Sequence, residues 1–416
     1  PSPEILEVNE DAVIWAVDGK DDRSVAFAAR LLEQNIQVRV IDKNSTLSEH
    51  DLSRGSVAVI AMDNPTSNNL HEIIKTVATD LNISVVSIES GFGPKELPDW
   101  GGRHFRLLKK PQIAILSHAG FSSYDVGVSW WSLDHHLGIR HSQLNSSLTG
   151  YGDLRRYNTI VLPSGNPDLG DYAKKMLMDW VKQGGTLIAN NRSTRSIISD
   201  DGMSSVKSLS ATFDKSKTYN IDLMREIYSI EENIDISNAN ENKVDTEIKY
   251  PWESSDVNYS KEQLEMRDKW QSTLMPSGAI VSARADTEHW LTFGAEDVVP
   301  VLYGNYPILM TGGNSQAALR IGELIPNKDS ETKTINWSQI PSGYDLNVRM
   351  SGLVWPEASQ RIANSAYLTR EKIGKGQIIL FSGEPNFRGS ARGTNRLWLN
   401  AVIYGSGLGT DALVNP

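Results

Sequence analysis

Short apolar runs alternate with amphipathic stretches over the first hundred residues. Residues 12–17 (AVIWAV) and 38–41 are apolar runs of strand length, and residues 24–34 between them place apolar side chains at helical spacing. The same order of strand, helix and strand returns at residues 56–61, 70–81 and 83–88. Because such units usually return the second strand parallel to the first through a right-handed crossover, the pattern predicts a small parallel α/β domain over residues 1–108.

A second series of apolar runs begins at residue 111. The predicted elements, in chain order, are a strand at 113–117, a helix at 126–137, a strand at 157–163, a helix at 172–183 and a strand at 186–189. Each predicted strand ends in a loop of small or polar residues, which is typical of a doubly wound sheet. The predicted fold class is therefore α/β, with two doubly wound units whose sheets are mostly parallel. The second unit occupies residues 109–416.

This pattern is interrupted between residues 200 and 275. Ser, Asn, Asp and Glu dominate residues 230–260, and residues 261–273 have a helical pattern. We interpret residues 200–275 as an irregular, partly helical insertion that lies over an edge of the sheet. Strand-like runs then resume at 278–283, 298–303, 308–311, 346–353 and 367–371, with a helix-prone stretch at 358–366, before the Ile-rich run 378–381 and a closing helix at 391–404.

The composition excludes several classes of function. The 416-residue chain has a formal net charge of −10 and no Lys/Arg stripe, which argues against nucleic acid as a partner because phosphate neutralisation supplies most of that affinity. No apolar stretch approaches the roughly 18 residues that a membrane span needs. The chain contains no cysteine, so disulfides, thiolate nucleophiles and Cys-ligated metals are excluded.

The loop that follows run 378–381 is the strongest candidate site. At the carboxyl end of a core strand, where open α/β sheets usually bind ligands, this loop carries Glu384, Asn386, Arg388, Arg392 and Asn395. Two guanidinium groups flanked by amides are able to hold a carboxylate through paired hydrogen bonds. The alternative is a structural network in which Glu384 pairs with one arginine and fixes the loop.

The loop after run 113–117 offers a second set of polar side chains, namely His118, Ser122, Ser123 and Asp125. A hydrolase that uses His118 with Ser122 or Ser123 is one hypothesis. Catalytic triads normally draw their members from separate loops, however, and no G-x-S-x-G occurs in the chain. The alternative is that Ser122, Ser123 and Asp125 cap the following helix by accepting hydrogen bonds from its free N–H groups.

Two pairs of neighbouring rings also have two interpretations. Trp130 and Trp131 either pack in or over the core or, together with Trp290 and Trp355, form a platform on which a sugar stacks. His135 and His136 either end a helix in solvent or bind a metal. The packed and solvated interpretations are the commoner ones in proteins.

Several stretches resemble one protein family. The stretches that carry the resemblance are 111–134 (PQIAILSHAGFSSYDVGVSWWSLD), 157–165 (YNTIVLPSG), 184–189 (GGTLIA), 276–294 (PSGAIVSARADTEHWLTFG) and 374–405 (GKGQIILFSGEPNFRGSARGTNRLWLNAVIYG). They look like the C-terminal half of large bacterial zinc carboxypeptidases of the M14 type, and residues 12–108 resemble the segment that precedes it there. In that family this region is a flavodoxin-like, class I glutamine-amidotransferase-like domain, and the catalytic zinc domain lies upstream.

The resemblance implies a non-catalytic accessory region that supports or restricts substrate access to an upstream carboxypeptidase domain. It also implies that this chain holds no cofactor, that zinc belongs only to the absent catalytic domain, and that the protein is periplasmic or secreted. None of the eight histidines is followed by Glu three residues later, so the zinc-binding pair of that family is missing from the chain.

An active class I amidotransferase needs a Cys that is activated by a His and oriented by an acidic residue. By the resemblance, Asn191 stands at the nucleophile position and Ser382 near the His position, and only Glu384 remains of the triad. The amidotransferase reaction is therefore not expected. The other function left open is a ligand-binding module that recognises peptide C-termini or cell-wall glycan through the loops after the core strands.

Overall fold

A computed structural model describes residues 8–47, 50–67, 69–90, 102–145, 153–198, 202–231 and 259–411. A five-stranded sheet belongs to the first unit, and a twelve-stranded sheet belongs to the rest of the chain. Helices pack against both sheets, so the predicted mixed α/β class is confirmed.

The first unit contains two strand–helix–strand segments, a hairpin and an added edge strand. Its elements are β1 (Ile14–Val17), α1 (Ser24–Glu33), β2 (Arg39–Ile41), β3 (Ser45–Leu47), β4 (His50–Leu52), β5 (Val57–Ile60), α2 (Leu70–Leu81), β6 (Val86–Ile88) and β7 (Phe105–Leu107). The hairpin β3–β4 and the strand β7 are additions to the elements that the sequence pattern predicts.

The strands of the first unit are ordered β6-β1-β5-β2-β7, and every neighbouring pair is antiparallel. The prediction of a parallel, doubly wound sheet over residues 1–108 is therefore wrong. In each strand–helix–strand segment the second strand runs in the same direction as the first. The two strands are not neighbours, however, because one other strand lies between them. That strand belongs to the other segment and runs in the opposite direction, so that β5 lies between β1 and β2. This is the split β-α-β arrangement of ferredoxin-like folds.

The second unit supplies the remaining elements. Those before the polar insertion are β8 (Ile113–Ser117), α3 (Ser123–Trp131), a π-helical turn (Ser132–Leu137), β9 (His141–Asn145), β10 (Thr159–Leu162), α4 (Asp171–Lys182), β11 (Thr186–Asn190), α5 (Thr194–Ile198) and β12 (Lys207–Ser208). The insertion contributes α6 (Ser216–Glu231) and α7 (Lys261–Gln271). The elements after it are β13 (Ala279–Ala285), β14 (Val298–Tyr303), β15 (Leu309–Met310), β16 (Ser315–Ile321), β17 (Glu323–Pro326), β18 (Lys333–Ile335), β19 (Ser338–Ile340), β20 (Tyr344–Asn347), β21 (Arg349–Ser351), α8 (Pro356–Ile362), β22 (Ala366–Ile373), β23 (Gly376–Phe381) and α9 (Arg392–Leu408).

Five strands of the large sheet form a parallel half in the order β9-β8-β10-β11-β23. Numbered along the chain, this order is 2-1-3-4-5, the order of flavodoxin-like sheets. The doubly wound prediction therefore holds for this half. From β23 the sheet continues through β22, β16, β13 and β14, and these pairs are antiparallel.

The helix α9 connects the two units. It packs against α1 of the first unit and against β10 and β11 of the second. Arg396 of α9, which is 2 % exposed, donates hydrogen bonds to the carbonyl oxygens of Gly19 (3.0 Å) and Asp21 (2.9 Å) and to Oγ of Ser24 (3.1 Å). One apolar cluster includes residues of both units, and the domain boundary near residue 108 stays a prediction.

The described parts of the polar insertion pack on the antiparallel half of the sheet. Arg320 of β16 binds the Glu226 carboxylate of α6 through two hydrogen bonds of 2.7 Å. Arg361 of α8 donates to Oδ1 of Asp268 in α7, also at 2.7 Å. Most of the Ser/Asn/Asp/Glu-rich stretch, residues 232–258, lies outside the described residues.

Candidate functional site

The topological switch point of the parallel half lies between β8 and β10, where open sheets of this order bind ligands. Here the loop after β8 and the loop after β10 contact each other directly. Phe121 forms a bridge with Gly165, and the N–H of Asn166 donates to the carbonyl of Gly120 at 2.7 Å. A Cβ added at Gly165 would lie 2.2 Å from that Gly120 oxygen. Backbone therefore occupies this crevice, and the candidate side chains lie around it.

Among the residues predicted for the loop after β8, Ser122 caps the following helix. Oγ of Ser122 accepts a hydrogen bond from the N–H of Asp125 at 3.4 Å, and Ser123 is the exposed first residue of α3. Nδ1 of His118 lies 2.8 Å from Oγ of Ser117 instead of from either predicted serine nucleophile. The contacts thus match the capping interpretation and do not assemble a Ser–His–Asp triad.

A sharp turn follows β11 at Asn191. The φ of Asn191 is +47°, in the left-handed region that Asn tolerates better than most residues. Its side chain is 2 % exposed, and Nδ2 donates to Oε1 of Glu384 at 2.9 Å. This is the position that the sequence comparison gave to a nucleophile, and here it holds an amide that fixes a carboxylate. Ser382, two residues before Glu384, is fully buried.

Two partly buried carboxyl groups, those of Glu384 and Asp125, interact electrostatically at this turn. Burial raises the pKa of Glu384, and the charge of Asp125 raises it further, while Asn191, Arg192 and the more distant Arg388 act in the opposite direction. Burial also raises the pKa of Asp125, against a hydrogen bond from Ser122 and the charge of Arg192. In the described ranges neither carboxylate lies within 4 Å of a Lys or Arg nitrogen, so neither has a direct counter-ion.

Tyr306 faces the same pair. Burial raises the pKa of its phenol, and the charges of Glu384 and Asp125 raise it further. The ring also packs near Gly383, where an added Cβ would lie 3.2 Å from it. No sequence signal marks Tyr306, because it follows an ordinary strand, and its role depends on a tertiary contact.

A cleft of about 310 Å³ opens on the other side of the last loop, at the start of α9. We call it the α9 cleft, and its lining residues are Trp131, His135, His136, Gly389, Arg392 and Asn395. The π-helical turn places His135 edge-on to Trp131, with ring centroids 5.4 Å apart. Burial and the nearby Arg392 lower the pKa of His136, which favours its neutral imidazole.

Two of the predicted ligand-binding residues line this cleft. Arg392 is exposed and forms no ion pair within the part of the chain that the structure describes. Asn395 is 7 % exposed, and its Oδ1 has no hydrogen-bond partner among the described residues. A buried polar atom without a partner usually marks a position that a ligand or water satisfies.

The other two members of the predicted carboxylate fork lie elsewhere. Nδ2 of Asn386 donates to Oγ of Ser132 at 3.4 Å and so ties the loop to the π-helical turn. Arg388 is exposed, with its guanidinium carbon 5.1 Å from the centroid of the Phe387 ring. The four-residue fork is therefore split. Trp131, His135 and His136 line the cleft together with Arg392 and Asn395. The sequence analysis leaves a sugar platform open for Trp131 and a metal site open for the two histidines, but it does not group them with the arginine; the i, i+4 spacing of Trp131 and His135 is the available signal.

Comparison with known proteins gives only distant similarity. No family model and no curated protein matches the chain. A ThuA-like protein from Bacteroides uniformis is 11 % identical over 70 % of this chain and 89 % of its own, with a TM-score of 0.33. A cytoplasmic protein from Salmonella typhimurium is 12 % identical over 70 % and 97 %, with a TM-score of 0.30. A β-galactosidase from Bacillus circulans is 10 % identical over 88 % and 38 %, with a TM-score of 0.34.

These comparisons correct the resemblance to M14-type zinc carboxypeptidases. Neither the family models nor the curated proteins support it, and the similar solved structures are described as ThuA-like, cytoplasmic or β-galactosidase proteins. The upstream carboxypeptidase partner and the accessory role lose their basis with it. At such low TM-scores the similar structures assign no function either. Within the described ranges, no helix combines the length and apolar character that crossing a bilayer requires.

Proposed function

We propose that the chain is a ligand-binding module for an acidic glycan, and that a hydroxylated carboxylate unit such as a hexuronate occupies the α9 cleft. One observation carries the proposal. The cleft is lined by Arg392, which has no ion pair among the described residues, by the exposed indole of Trp131, and by Asn395, whose buried Oδ1 has no partner among those residues.

The charge of the cleft favours an anion. Its lining includes Arg392 and no Asp or Glu, although the chain as a whole carries a formal charge of −10. Arg392 is also the first residue of α9, whose N-terminus has no side-chain cap, so the helix adds positive potential at the same place. A guanidinium binds a carboxylate best because its planar N–H groups match the two oxygens.

The remaining lining residues favour a sugar ring over a simple acid. Trp131 is 36 % exposed and offers a flat apolar face, on which the C–H face of a sugar packs. The unpaired Oδ1 of Asn395 is an acceptor, so it selects a ligand group that donates a hydrogen bond, such as a hydroxyl. The volume of about 310 Å³ is at the lower end of ligand pockets, which suits a single ring.

The experiment compares two exposed arginines, Arg392 at the start of α9 and Arg388 in the turn before it. Binding of glucuronate and of glucose is measured by calorimetry or by chemical-shift titration for the parent chain, Arg392→Ala and Arg388→Ala. We expect Arg392→Ala to weaken glucuronate binding by about tenfold or more, because a charge-assisted hydrogen bond contributes about 1.5–3 kcal/mol. Arg388→Ala, outside the cleft lining, should leave the affinity unchanged.

A second variant tests the amide. Asn395→Ala should weaken binding by about fivefold, the loss expected for one hydrogen bond of about 1 kcal/mol. Equal affinity for glucose and glucuronate, or equal losses in the two arginine variants, would refute the proposal. A short peptide with a free C-terminus is the third ligand. If that peptide binds and glucuronate does not, the cleft recognises a carboxylate and the glycan assignment is wrong.

A further inference from the structure

The turn after β11 carries a second arrangement that the α9 cleft does not use. We propose that Asn191, Glu384 and Asp125 form a binding site for an organic primary ammonium group, such as that of an amino sugar or an amine. The proposal does not rest on the glycan assignment, since none of these three residues lines the α9 cleft.

The acceptors at this turn match the donors of an ammonium group. Nδ2 of Asn191 donates a hydrogen bond to Oε1 of Glu384, and Oε2 of that carboxylate is the oxygen left for a ligand. The other end of the same amide, Oδ1 of Asn191, is buried and has no hydrogen-bond partner in the described part of the chain. Asp125 adds a second carboxylate. An –NH₃⁺ group has three N–H donors and no acceptor, so it is satisfied by such a set of oxygens.

The charge at the turn also calls for a cation. Glu384 and Asp125 have no Lys or Arg nitrogen within 4 Å among the residues described, and the nearest opposing charges are the exposed Arg192 and Arg388. The charge of Asp125 acts unfavourably on the Glu384 carboxylate, and a bound cation relieves that repulsion. The described residues contain no group of three or more His, Cys, Asp and Glu side chains that could hold a metal ion. An organic cation with N–H donors fits better than a metal.

The fixed backbone makes this a prepared position. Asn191 is held in its left-handed conformation by the turn into α5, where Oγ1 of Thr194 donates to the Asn191 carbonyl at 2.6 Å. Oγ of Ser193 donates to the carbonyl of Pro163 on the neighbouring strand end. The amide is therefore oriented before any ligand arrives, which reduces the entropy that binding costs.

The test uses the whole chain and two cations that differ in their donors. Methylammonium and tetramethylammonium chloride are titrated at constant ionic strength, with sodium chloride as the third salt. The readouts are the side-chain amide NMR signal of Asn191 and the thermal midpoint. We expect a saturable shift of both with methylammonium only, because tetramethylammonium has the charge but no N–H donor.

Three carboxylate variants locate the site. Glu384→Gln keeps an oxygen for the Asn191 bond, so it should fold normally and weaken methylammonium binding by about tenfold or more. Asp125→Asn should weaken binding by a smaller factor, and Glu296→Gln, an exposed carboxylate on another loop, should bind like the parent. An equal response to sodium would assign an inorganic cation and overturn the proposal. Unsaturable shifts, or undiminished binding by Glu384→Gln, would also overturn it.

Discussion

Replacing Arg396 by Met tests whether the two units are held together by one buried guanidinium. The Met side chain keeps the apolar stem of the arginine and removes its donors. In the parent, these donors satisfy the carbonyl of Gly19, which is buried, and the carbonyl of Asp21, which is partly buried. The hydroxyl of Ser24 loses its bond as well.

The expected loss follows from the two carbonyl groups left without donors. A buried acceptor that loses its partner costs about 1–3 kcal/mol, so two of them, one partly solvated, should cost about 2–5 kcal/mol. Domains unfold with a free energy of about 5–15 kcal/mol, so Arg396→Met should remove a large fraction of the total. Nε of Arg396 also bonds Asn400, whose Nδ2 donates to the carbonyls of Leu291 and Phe293. Their loosening would add to the loss.

Urea unfolding followed by circular dichroism measures the total loss, and hydrogen exchange read by mass spectrometry shows where it falls. Protection should decrease most in the loop between β1 and α1 and in the first turn of α1, whose residues contact the guanidinium, and least in β10 and β11. Arg392→Met on the exposed first turn of the same helix is the control, and it should change stability by less than about 0.5 kcal/mol. If both variants lose the same free energy of unfolding, or if protection from hydrogen exchange falls equally in all elements, Arg396 does not hold the two units together.

Two further predictions concern packing and charge. Gly376→Ala should prevent normal folding, because the added Cβ would lie 2.0 Å from the carbonyl oxygen of Val181. Gly127→Ala should stabilise α3 by about 0.5–1 kcal/mol, because an added Cβ there has no atom within 4 Å beyond the neighbouring backbone of its own helix and alanine favours the helix. Thermal melts of both variants check these two expectations. Glu226→Gln should cost about 2 kcal/mol at pH 7. Burial raises the pKa of Glu226, but Arg320 outweighs burial and lowers it below 4.5, so this stability is present above pH 4.5 and is lost as the pH falls through the lowered pKa. Urea unfolding at several pH values should therefore show the gap between parent and variant closing in acid.

The pattern of apolar residues predicts most of the elements that position the site. Runs such as 113–117 and 378–381 are buried on both faces of the parallel half, and a strand of that kind has an unmistakable composition. The strand β9 (HSQLN) is not predicted because it lies at the sheet edge and carries a single apolar residue, Leu144. Edge strands are not required to be apolar, so periodicity does not reveal them.

The sheet of the first unit shows a different limit. A strand, a helix and a strand in series give the same sequence pattern whether the two strands become neighbours or leave a gap between them. The choice depends on whether another strand, here β5, pairs between β1 and β2. That is a long-range contact, and no local pattern contains it.

The sequence predicts polar loops at one end of the parallel half, and the role of their residues in a site stays a prediction. The sequence shows polar residues after β8, β11 and β23. Packing does not require polar side chains in loops at the carboxyl ends of core strands, so these residues indicate a candidate ligand site. Which of them share a cleft is set by the turn that each loop makes. Arg388 lies in a turn with a left-handed φ of +50°, Arg392 begins α9, and only Arg392 lines the cleft.

The position of β23 in the sheet has a consequence for synthesis. This strand joins the parallel half to the antiparallel half, since its neighbours are β11 and β22, yet it follows all the other described strands of that sheet along the chain. Until it emerges, β11 has an unpaired edge and Asn191 has no Glu384 to bond. A nascent chain that lacks it therefore presents an apolar strand edge of the kind that chaperones protect. The Asn191–Glu384 contact therefore forms only after β23 has been made, and the α9 cleft only after the start of α9 has been made.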